Sequence, residues 1–112
     1  MKRIQRSREK GWKQPKGCRF VGRGTPWGNP FIVGEYDERW GLVTQDLAVS
    51  LFSQQVDLIA LRHGMTTEKW LEPLRQYEML SCFCSLDERC HADVLIELLE
   101  KPKPKMYQMR LL

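Results

Sequence analysis

Between Ser81 and Leu95 the chain reads SCFCSLDERCHADVL, which places Cys82, Cys84, Cys90 and His91 within ten positions. Thiols and an imidazole at this density fit three chemistries. Three thiolates and one imidazole form an acceptable tetrahedral zinc set. The spacing is Cys-x-Cys-x5-Cys-His, however, and not two separated Cys-x-x-Cys knuckles. Neighbouring ligands at 90 and 91 would also leave a helix about 100° apart if both were helical. The second chemistry is anion binding: a helix starting near His91, with Arg89 just before it, offers free backbone N–H groups and a positive dipole end. That field would also lower the pKa of a thiol at Cys84 or Cys90, which makes Cys84, His91 and Asp93 candidate catalytic groups. Asp93 can equally be a first-turn residue that serves the helix dipole. A phosphatase loop is not supported, because five residues after Cys84 the chain reaches Cys90 where that loop needs Arg. The third is plain packing, with Cys82 in the core, Cys84 at a strand end and His91 as a helix-start donor.

A second stretch with chemical capacity is GRGTPWGNPF, residues 22–31. Gly22, Gly24 and Gly28 allow backbone to approach a ligand closely, and Arg23 can fork onto a phosphate. Trp27 and Phe31 offer faces for a base, and Asn29 carries amide donors and acceptors for polar recognition. The pattern is neither Gly-x-Gly-x-x-Gly nor a phosphate-binding loop ending in Lys-Ser/Thr. A rigid packed turn around a buried Trp accounts for the same residues.

The net charge of +4 conceals an asymmetry. Residues 1–23 carry nine Lys or Arg against Glu9 alone, whereas the remainder carries nine against thirteen acids. Arg3, Arg6, Arg8 and Lys10 are therefore candidates for contact with nucleic acid or a nucleotide phosphate, the alternative being a solvated, partly flexible arm. No window approaches the roughly 20 apolar residues of a membrane span, and the N-terminus lacks the apolar stretch of a secretory signal. A cytoplasmic location is expected, with the four cysteines reduced.

The elements that must position these residues follow from periodicity. Phe20-Val21 reads as a strand that delivers the chain into the Gly-rich loop, and Phe31-Ile-Val33 as a weaker strand. From Thr44 the spacing becomes helical, with Leu47, Ala48, Leu51, Phe52, Leu58 and Ile59 on one face. Thr44 suits the N-cap, Arg62 and His63 the last turn, and Gly64 the left-handed cap. A second helical piece over residues 67–77 must accommodate Pro73. Met79 to Phe83 reads as a buried strand and His91 to Leu99 as a helix. This β-α-β-α order predicts a small single-domain α/β fold with a Rossmann-like parallel or mixed sheet flanked by helices over residues 1–100. Both candidate loops then leave the carboxyl ends of strands, where open α/β sheets bind ligands. Residues 101–112, beginning Lys-Pro-Lys-Pro-Lys, read as a spacer and tail.

Val21-Gly-Arg23, Trp27-Gly-Asn-Pro-Phe31 and the block Cys82-x-Cys84 with Cys90-His-Ala-Asp-Val-Leu95 resemble the uncharacterised, largely bacterial and phage-borne family called domain of unknown function 4326. The resemblance runs from Ile4 to about Leu99 and includes Arg6 and Lys10-Gly-Trp12. It implies no function. The strand-Cys-loop-Cys-His-helix element also resembles small Rossmann-like domains of another uncharacterised family, an analogy of fold alone. Cys18 lies where the family resemblance implies no cysteine and is left out of the site.

The sequence thus points first to a domain that binds a nucleotide or nucleoside-like phosphorylated ligand, ADP-ribose-like among the options, and that could act on it. Arg23 and Arg89 would contact phosphate, Trp27 would stack and Asn29 would read polar edges. The first alternative is a non-enzymatic nucleic-acid-binding module with a structural zinc on Cys82, Cys84, Cys90 and His91. The second, suggested by the phage resemblance, is sequestration of a host signalling nucleotide without turnover.

Overall fold

The computed structural model describes residues 1–101; the expected spacer and tail lie, beyond Lys101, outside the described residues. Three strands, β1 (Lys2–Gln5), β2 (Cys18–Phe20) and β5 (Met79–Cys82), form a parallel sheet in the order β1-β5-β2. A small antiparallel hairpin joins β3 (Tyr36–Asp37) to β4 (Gly41–Leu42). Four helices flank the sheet: α1 (Gln45–Gln54), α2 (Val56–Arg62), α3 (Thr67–Leu71) and α4 (His91–Glu100). A 3-10 turn, Glu72–Gln76, follows α3 with Pro73 in its first positions, where a missing N–H costs nothing. The expected α/β class with a parallel sheet is what the chain adopts. No helix among the described residues is long and apolar enough to cross a membrane.

The central strand β5 is the sheet's hydrophobic spine. Leu80, Ser81 and Cys82 are all buried, as expected of a strand with neighbours on both edges and helices over it. Ser81 satisfies its buried hydroxyl by donating to Gln14 Oε1 at 2.6 Å, and Gln14 Nε2 donates in turn to the Cys18 carbonyl. The core around this strand contains Val21, Phe52, Trp70, Leu74 and Leu95, each at most 1% exposed.

Helix ends marked by local capping residues stand where the sequence predicts them. Thr44 caps α1 by accepting from Leu47 N, and Gly64 takes φ +73° just past α2. One apolar position was misassigned: Leu58 is exposed. The helix breaks at Gln55, whose φ is −113°, so the apolar face is rephased onto Val56, Ile59 and Ala60.

The strand expected at Phe31-Ile-Val33 and the flexible-arm alternative for the N-terminus are both overturned. Phe31-Ile-Val33 is not a strand; Gly34 N donates to Val43 O and Val43 N to Glu35 O, so pairing begins only at Gly34. The basic N-terminus is not a free arm. Lys2–Gln5 pairs in register with Met79–Cys82 as an edge strand. Lys-Arg-Ile-Gln has one apolar residue and no alternation to detect, and charged side chains are a common means of blunting a sheet edge.

Candidate functional site

The carboxyl ends of β2 and β5 open onto a cavity of about 340 Å³ lined on one side by Arg8, Gly22, Arg23, Asn29, Phe31 and Val33. Gln45, Ala48 and Val49 of α1 form a second wall, and Cys82, Phe83, Cys84 and His91 a third. Gly22, Arg23, Asn29, Phe31, Cys84 and His91 were expected at a site from sequence, and the fold brings them together. Among the described residues that line this cavity there is no carboxylate.

The loop 22–31 is braced from within. Thr25 donates to the Gly22 carbonyl from both N and Oγ1, the latter at 2.7 Å, and Gly28 N donates to Thr25 O. Gly28 lies so close to the first turn that a Cβ there would stand 2.8 Å from Gly22 O. Gly28 therefore serves the loop's own packing, and neither it nor Gly24 lines the cavity, whereas Gly22 does. Trp27 is not a stacking platform: it is buried, and its Nε1 donates to the Trp70 carbonyl at 2.7 Å while Trp70 Nε1 donates to Pro26 O. Asn29 does not read a ligand edge with a free amide. Its Nδ2 donates to Ala48 O and its Oδ1 accepts from Phe31 N. What the brace leaves free at the cavity is the exposed Arg23 side chain and the half-buried Phe31 ring.

The loop 83–90 is held from outside by Arg3. Its Nε donates to Asp93 Oδ1 at 3.0 Å, and its two terminal nitrogens donate to the carbonyls of Cys84, Ser85, Leu86 and Glu88. The Arg3 side chain is 8% exposed. Arg3 is thus no contact for a polyanion; its planar fork is consumed by the protein itself. Asp93 completes a capping box by accepting from Cys90 N, so it serves the helix start and Arg3 and does not line the cavity. Arg89 is likewise not at the cavity. Its side chain reaches Ser50 on α1 and its carbonyl accepts from Gln45 Nε2 at 2.6 Å. Lys10 is exposed and does not line this cavity.

Arg8, one of the candidate phosphate contacts in the sequence, stands at the cavity where Arg89 does not. It lies over the Phe83 ring at 3.8 Å, and both residues line the cavity. Arg6 lies over Phe20 at 4.6 Å. Phe83 and Gln45 were missed from sequence. Strict alternation turns Phe83 away from its cysteine neighbours, but β5 ends at Cys82, and beyond it alternation no longer governs. Gln45 carried a usable signal, since it directly follows the Thr44 cap and so stands at a helix start.

The thiols cluster behind the cavity. Cys82 Sγ and Cys90 Sγ are 3.2 Å apart, and Cys90 Sγ lies 3.6 Å from His91 Nδ1. His91 Nε2 is 2.7 Å from the Val21 carbonyl. The expected difficulty of adjacent ligands at 90 and 91 disappears, because Cys90 is the N-cap in extended geometry, φ −138° and ψ 151°. Cys84 is half-buried, and hydrogen bonds from Cys82 and Cys90, aided by the Gln45 amide, hold its thiol well below the ordinary range. Cys90 is pushed up by the same thiol contacts and by burial. Burial also lowers the His91 pKa and favours its neutral form.

The family described as Domain of unknown function (DUF4326) matches residues 4–101, which takes in every residue of the cavity and of the thiol cluster. No curated protein and no solved structure matches the chain.

Proposed function

The chain belongs to the DUF4326 family, and from the geometry of its cavity we propose that it binds a small phosphorylated nucleoside at the carboxyl edge of the parallel sheet. The observation that carries this reading is a cavity in which Arg8 and Arg23 meet the aromatic side chains Phe31 and Phe83, with no carboxylate among its described lining residues. Guanidinium groups bind phosphate through paired N–H donors, and aromatic rings accept the flat face of a base. Ligand sites of this kind in open α/β sheets lie at the carboxyl ends of the strands. A volume of about 340 Å³ stands near the lower limit of the roughly 300–1,000 Å³ typical of small-molecule sites. That size favours a mononucleotide over a dinucleotide or an ADP-ribose-like ligand. Arg8, resting on Phe83, is pre-oriented, which reduces the entropy lost on binding.

Isothermal titration calorimetry with the four 5′-mononucleotides, their nucleosides and inorganic phosphate tests this. At least one mononucleotide is expected to bind more tightly than its nucleoside or phosphate. Arg8→Ala and Arg23→Ala should each weaken it by about ten- to a hundred-fold, the range for a hydrogen bond to a charged group. Equal affinity in wild type and both variants would overturn the reading. Assaying bound ligand for product separates turnover from sequestration.

One observation favours a nucleic-acid reading as the second choice. Arg6 and Arg8 flank Phe83 beside a shallower cavity that also includes Gln5 and Ser7, and guanidinium with aromatic faces suits single-stranded nucleic acid. Binding of an oligonucleotide that falls steeply with salt would support it; a flat response would count against it.

A further inference from the structure

The thiol end of the cavity holds a donor set that phosphate recognition does not use. Cys82, Cys90 and His91 each offer one ligand atom, the three atoms lie within 4.8 Å of one another, and all three residues are buried. They come from two different places in the fold: Cys82 ends β5, whereas Cys90 caps α4 and His91 opens it. The Cys90 backbone is extended, so its side chain and that of His91 converge and do not diverge around a helix.

The histidine is oriented for metal binding. The Val21 carbonyl, 2.7 Å from Nε2, can only accept, so the ring proton sits on Nε2. Nδ1 then keeps its lone pair and faces the Cys90 thiol. A backbone carbonyl that fixes the far nitrogen of an imidazole is the usual outer support of a metal-bound histidine. Thiolate and imidazole donors without a carboxylate select soft or borderline ions over calcium or magnesium. The Cys82–Cys90 separation of 3.2 Å is shorter than the about 3.8 Å edge of a tetrahedron with zinc–sulfur bonds near 2.3 Å. Loading would open the pair by about half an ångström.

We propose that Cys82 Sγ, Cys90 Sγ and His91 Nδ1 bind one divalent cation of the zinc class. Of the three donors, Cys82 and His91 also line the cavity, as does the neighbouring Cys84. Metal binding here needs no phosphorylated ligand, although it shares those two residues with that ligand's cavity, and its test uses the metal alone.

Reduced, chelator-stripped protein is titrated with cobalt(II). One equivalent should bind with the intense thiolate-to-cobalt charge-transfer absorption of at least two sulfur ligands, and zinc should displace it. Cys18→Ser, which alters a thiol outside the cluster, should leave uptake unchanged. Cys90→Ser should lose affinity by at least about 100-fold, more than the loss usual for an outer-sphere partner. Because Cys90→Ser could compromise folding, zinc-edge X-ray absorption of the wild-type protein provides a second measure: at least two sulfurs and one imidazole nitrogen are expected. A folded wild-type protein without charge-transfer absorption, or a zinc shell of nitrogen and oxygen alone, would overturn the proposal.

Discussion

Residues 22–31 and residues 83–90 leave the carboxyl ends of neighbouring parallel strands and face one cavity, yet they are held in opposite ways. The first loop closes on itself through Thr25, Gly28 and Asn29, and Trp27 pins it to Trp70. The second has local bonds from Glu88 N and Asp87 N to Ser85, meets α1 through Arg89, and takes its remaining four carbonyl contacts from Arg3, which lies 81 to 85 positions earlier in the chain. A self-braced loop can present Arg23 at little cost to the rest of the fold. A loop tied by a distant arginine couples the thiol cluster to the docking of the first strand.

Breaking the first brace should have the largest effect. Trp27→Ala leaves a void in the core and an unpaired Trp70 carbonyl, and should cost about 4 kcal/mol by denaturant unfolding; a loss below about 1 kcal/mol would mean that the loop is not braced by the core. Arg3→Ala follows, at about 3 kcal/mol, because it strips donors from Asp93 and four carbonyls. Lysine should restore only part of this, since a single ammonium cannot reproduce the fork. Hydrogen exchange sharpens the comparison: in Arg3→Ala the amides of residues 84–90 should lose protection while those of Thr25 and Gly28 keep it. The opposite order would reverse the assignment of the two braces.

Asn29→Ala should cost about 1–2 kcal/mol through its two lost hydrogen bonds, and ligand affinity should fall with it as Phe31 loses its anchor. The smallest effect on folding belongs to Arg23→Ala. Its side chain is exposed, so stability should change by no more than about 0.5 kcal/mol while mononucleotide binding weakens by about ten- to a hundred-fold. A destabilisation comparable to that of Asn29→Ala would place Arg23 in the brace and not at the ligand.

Much of the architecture was legible because its signals are local. Thr44 and Gly64 mark their helix ends through capping and a left-handed turn, and the apolar run around Leu80 marks the buried strand. The two candidate loops were also legible, from glycine, proline and cysteine spacing. Individual roles within them were not. Trp27, Asn29 and Asp93 have the chemistry of ligand contacts, but each finds its partner inside the protein. A side chain's type shows what it can bond, and not whether that capacity has already been used.

By itself the sequence determined the α/β class, the capped helix ends at Thr44 and Gly64, and the clustering of Cys82, Cys84, Cys90 and His91, since periodicity, capping and spacing act over a few residues. Only the tertiary structure decided that Lys2–Gln5 is a strand, that Arg3 serves the loop 83–90, and that Arg8 and Phe83 share a cavity with Arg23. The physical reason is that edge pairing and arginine–carbonyl contacts join residues far apart in the chain. Their geometry exists only once β5 has brought β1 and β2 to its two sides.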